Sequence, residues 1–83
     1  MRVTLNSTTR LVELEVNGVR VPARIWEGVT SKGTPVMCFI TRVAPLIPEP
    51  IPQKVAHEFG EELYAAHCEP SAQVRTLAPR FVL

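Results

Sequence analysis

Asn17-Gly18, set between two alternating runs, constrains this chain more than any other dipeptide in it. A two-residue type I′ hairpin needs φ > 0 at both central positions, and Asn-Gly is the pair that accepts this most readily. With those two residues as the loop, a pairing register follows. Val16 faces Val19, Glu15 faces Arg20, Leu14 faces Val21, Glu13 faces Pro22, Val12 faces Ala23 and Leu11 faces Arg24. One face then reads Val12, Leu14, Val16, Val19, Val21, Ala23, Ile25, and the other Leu11, Glu13, Glu15, Arg20, Pro22, Arg24, Trp26. This period-two separation assigns the first face to a core.

The remainder of the chain is read outward from that hairpin. Arg2-Val3-Thr4-Leu5 is a short edge strand or a loose arm, and Asn6-Ser7-Thr8-Thr9 reads as a turn, because such side chains bond their own backbone. Glu27 to Thr34, with two glycines, reads as an exposed loop leading to a third strand over Pro35 to Val43. If Ile25 faces Val36, then Val36, Cys38 and Ile40 join the core face, while Met37, Phe39 and Thr41 join the outer one. Four prolines between Pro45 and Pro52 forbid a regular ladder and make a stiff crossover. A helix follows from Pro52 to about His67, its stripe formed by Val55, Ala56, Phe59, Leu63 and Ala66, with Gly60 inside it suggesting a close approach. Pro70 lies beyond its end, and the tail from Val74 to Leu83 reads as a last strand interrupted by Pro79.

The expected architecture is therefore one small α+β domain over residues 1–83, ordered β-β-β-α-β. A three-stranded antiparallel β-meander takes residues 9–44, a proline-rich crossover 45–52, one amphipathic helix packed on the sheet 53–67, and a C-terminal strand 73–83. At 83 residues such a domain stands near the size where one core gives marginal stability, so a partner is expected to help.

Composition narrows the function classes. A net charge of +1 provides no general field toward nucleic acid or an anionic membrane. Two cysteines, Cys38 and Cys68, are too few for a disulfide framework and read as reduced thiols, Cys38 as a small core hydrophobe. No apolar run approaches a bilayer-spanning length and no leader pattern is visible, which makes cytoplasmic the expected location.

Candidate chemistry is sparse. His57 and Glu61, spaced i,i+4, offer two metal ligands where zinc takes three or four. His67-Cys68 lacks an orienting third group, and Glu58, Glu61 and Glu62 read as a solvated helix face. No phosphate-cradling loop or nucleophile elbow occurs, so the chain is expected to be non-enzymatic, without metal or cofactor. The outer hairpin face is the one constellation with binding character. Arg20, Arg24, Trp26, Met37 and Phe39 are the expected contact residues of a self-associating interaction protein, most simply a homodimer, or of one meeting a heterologous partner. The alternative is a nucleic-acid-binding regulatory protein using Arg20, Arg24, Lys32 and Arg42 beside the aromatics, although Glu13 and Glu15 on that face offset the charge.

Overall fold

The computed structural model describes residues 1–65 and 67–83. Asn17 and Gly18 sit at φ 51° and 79°, and all six expected cross-strand pairs form, from Val16↔Val19 to Leu11↔Arg24. The alternating residues and the turn thus agree on one register.

Both hairpin strands run further than the sequence suggests. β1 spans Val3–Val16 and β2 spans Val19–Thr30. The hydroxyl run read as a turn is instead a bulge within β1: Ser7 pairs with Trp26, Leu11 pairs with Arg24, and Thr8, Thr9 and Arg10 share the place opposite Ile25. Buried Thr8 repairs the interrupted ladder, its Oγ1 donating to the Ile25 carbonyl at 2.6 Å and accepting from Arg10 N at 3.2 Å. Gly28, expected in a loop, pairs with Leu5 inside β2. A Cβ there would land on the Thr4 carbonyl, so glycine is what allows β1 to approach. The true turn is confined to residues 31–34, where Gly33 takes φ 84° and the Thr30 hydroxyl accepts from Lys32 N and Thr34 N.

That shorter turn changes the register of β3, Pro35–Ile40. Ile25 faces Phe39, Trp26 faces Cys38 and Arg24 faces Ile40, so the expected Ile25–Val36 pair is corrected. The slip is by an odd number of residues and exchanges the faces. Phe39 and Met37 join the core side, while Val36, Cys38 and Ile40 stand on the outer side with Arg24 and Trp26.

Beyond β3 the proline-rich segment leads to α1, Gln53–Ala65. This helix lies beside the sheet and none of its described residues is buried. Phe59 and Leu63 are half-buried, Val55 and Ala56 are exposed, and Ala66, expected on the same stripe, falls outside the described residues. The chain then rounds the free edge of β1 at its bulge, where Cys68 N donates to Ser7 O at 2.8 Å and Thr9 N to Cys68 O at 3.0 Å. Ser71 caps a short helix, α2, Ala72–Arg75, and is held by Glu27, whose carboxylate accepts from Ser71 N at 2.8 Å and from its hydroxyl at 2.5 Å. The last strand, β4, is only Arg80–Val82 and runs parallel to β1 in the sheet order β3-β2-β1-β4. Val74, expected in that strand, lies in α2.

The core is small. Val12, Leu14, Ala23, Ile25 and Val74 are buried, with Val21, Phe39, Leu77 and Phe81 packed against them. The Phe39 and Phe81 rings stand 4.8 Å apart at 49°. The core face of the hairpin is therefore covered by α2, Leu77 and Phe81, whereas Leu63 and Tyr64 of α1 approach the opposite, outer face.

Candidate functional site

The outer face of β2 and the C-terminal end of α1 enclose an open groove of about 380 Å³. Its floor is built by the register already described: Leu11, Pro22, Arg24, Trp26 and Ile40 all project from the same side of the sheet. Leu63, Tyr64 and His67 form one wall, and Thr41, Arg42 and Val43, just past β3, form the other.

The bulge organises the polar part of this groove. Turned out of the ladder, the Thr8 carbonyl accepts from Arg24 Nη1 at 2.8 Å and fixes the guanidinium beside Trp26. Ser7, opposite Trp26, places its Oγ 2.9 Å from His67 Nδ1. Tyr64 meets the His67 ring edge-on, with centroids 6.0 Å apart. Loss of water around His67, and then the nearby Arg24 guanidinium, lower its pKa below the ordinary 6.5. The imidazole is accordingly neutral at neutral pH, and its Nε2 is buried with no hydrogen-bond partner among the described residues.

Among the described residues, Arg24 and Arg42 are the charged side chains of the lining, and no carboxylate belongs to it. Glu13 lies toward the hairpin turn, paired with Arg20 at 3.5 Å across an exposed surface. A groove of this kind can receive an apolar or aromatic group and offer cations to an anion.

Of the five expected contact residues, Arg24 and Trp26 lie together in the groove. Arg20 shares their face but stands near the turn with Glu13, and Met37 and Phe39 belong to the other side of the sheet. Of the four basic residues in the alternative reading, Arg24 and Arg42 converge. Arg20 lies at the start of β2 and Lys32 in the turn beyond its other end, so the two do not converge. Cys38 is half-buried on the outer face, not in the core, and Cys68 is exposed; both are free thiols. His57 and Glu61 meet at 3.0 Å on exposed α1, and among the described residues no group of three potential metal ligands converges. Among the described residues, no helix is long and apolar enough to cross a membrane. Tyr64, His67 and Ser7 were not legible as groove residues, because only the bulge and the turn of chain at Cys68 bring them together.

No protein-family model matches this chain, and neither a curated protein nor a solved structure does.

Proposed function

We propose that this chain is a small interaction protein that works through protein–protein contacts and associates with itself. One observation carries the reading: the folded chain leaves too much surface uncovered. A compact monomer of 9.2 kDa exposes about 4,900 Å², whereas this one exposes 6489 Å². Its radius of gyration is 14.6 Å, against about 12 Å for a compact domain of this length. The excess of roughly 1,600 Å² exceeds the ~800 Å² that each partner buries in a standard interface. Val19 (62%), Val82 (75%) and Leu83 (66%) are among the apolar side chains left in water.

A second reading is favoured by the groove, where Arg24 and Arg42 flank Trp26 and Tyr64 with no carboxylate among the described lining residues. On that reading the chain is a nucleic-acid-binding regulatory protein, with aromatic rings for bases and guanidinium groups for phosphates. Light scattering at low and high salt separates the two. A dimer whose mass holds at high salt supports self-association. A monomer that binds an oligonucleotide, with affinity falling steeply as salt rises, overturns it in favour of the second reading.

A further inference from the structure

The two edges of the sheet are treated differently. At one edge, β4 is three residues long, starts at Arg80 directly after Pro79, and is thus a poor template for another strand. The other edge is β3, which pairs with β2 on one side only. Among the described residues, no further backbone hydrogen bond reaches Val36 to Ile40. Its sequence, Pro35-Val36-Met37-Cys38-Phe39-Ile40, holds no charged residue to repel a neighbour. Past Pro35 this edge is uncharged, apolar and open, and folded proteins blunt such edges, so one left open calls for a strand to pair with.

We infer that this strand is β3 of a second copy, joined antiparallel about a twofold axis at Cys38 to make one continuous eight-stranded sheet. The inference rests on the self-association reading above, and Met37 is the exposed large apolar side chain that lies on β3 itself. Symmetry then fixes the register. A twofold axis normal to the sheet reverses the strand, keeps both core faces on one side, and sets one residue against its own copy. With the axis at Met37, Pro35 would face Phe39 inside the ladder, where proline has no N–H to give. With the axis at Phe39, the pairing would run onto Thr41 and Arg42, beyond the strand. At Cys38, Val36 faces Ile40 and Met37 faces Phe39, which places apolar residues opposite each other on both faces. Met37, 40% exposed in the single chain, becomes covered.

Directly opposed residues of an antiparallel pair have Cα atoms about 4.5–5.5 Å apart, within the range that a disulfide spans. The test uses the full chain with Cys68→Ser, leaving Cys38 as its one thiol. Diamide takes up the two protons and two electrons released as two Cys38 thiols join in a disulfide. The comparison is a Cys38→Ser chain carrying only the exposed Cys68, and light scattering on the reduced proteins runs alongside. The expected result is a reduced dimer that cross-links at least tenfold faster through Cys38 than through Cys68. Cys38→Lys, which sets two ammonium groups face to face, weakens dimerisation about a hundredfold, with folding followed by Trp26 fluorescence. A dimer that cross-links no faster through Cys38 overturns the β3 contact and leaves self-association standing. A reduced monomer overturns both.

Discussion

Thr8 is the residue on which the bulge depends, and replacing it with valine isolates its hydroxyl, because the shape is nearly kept. Its side chain is 2% exposed and holds the Ile25 carbonyl at 2.6 Å while accepting from Arg10 N at 3.2 Å. A typical hydrogen bond contributes about 1 kcal/mol net, but a buried partner left unsatisfied costs about 1–3 kcal/mol. Ile25 is fully buried, so no water replaces the lost donor. Thr8→Val should therefore destabilise the fold by about 2–4 kcal/mol, a large part of the roughly 4–12 kcal/mol available to a chain of this length. Thr8→Ser keeps the hydroxyl, loses one methyl group, and should cost about 1 kcal/mol. Urea unfolding followed by Trp26 fluorescence measures both. A Thr8→Val protein within about 0.5 kcal/mol of the parent, or one more stable than Thr8→Ser, would refute the claim that this hydroxyl replaces the interrupted ladder.

Three further outcomes are expected. Gly28→Ala forces a Cβ onto the Thr4 carbonyl, so the Val3–Leu5 end of β1 should peel from β2, seen as faster amide exchange there and a loss of about 2 kcal/mol; unchanged exchange would contradict the close approach. At Gly60 a Cβ meets nothing within 4 Å, so Gly60→Ala should stabilise α1 by about 0.5–1 kcal/mol, and a weakened dimer instead would show that a second copy lies against it. Because the folded pKa of His67 is lowered, the unfolded chain binds its proton first as pH falls; the contribution is intact above pH 6.5 and is lost below it, toward the depressed folded pKa. Midpoints of thermal unfolding from pH 7.5 to 5.5 should fall less steeply in His67→Gln, and equal slopes would remove His67 from the balance.

The features legible in the sequence are those with a local determinant. Asn17-Gly18 and the alternating residues beside it carry the whole register from Leu11 to Arg24, because turn and pleat are specified within the same stretch. Residues that answer to a neighbouring strand are not legible in this way. Gly28 reads as a loop residue by its own preferences, yet it is glycine because Thr4 passes over it. Ser7 and Thr8 read as a turn because hydroxyls bond backbone, and Thr8 does so here within a bulge. α2, only four residues from Ala72 to Arg75, is too short to display a helical period, so Val74 and Leu77 passed for strand residues.

The exchange of faces at β3 has a cause with a wider consequence. Taken as a loop residue, Gly28 makes the turn longer and sets Ile25 opposite Val36, three residues from its observed partner Phe39. Nothing in the strand could correct the slip. Val36, Cys38 and Ile40 are as apolar as Met37 and Phe39, so its pattern marks neither face as the wet one. In a half-exposed strand, selection for solubility writes alternating polar residues; in β3 that alternation is missing on both faces, and its open edge carries no charge either. The same absence that hid the register from the sequence is what a strand requires when it is destined for the middle of a larger sheet.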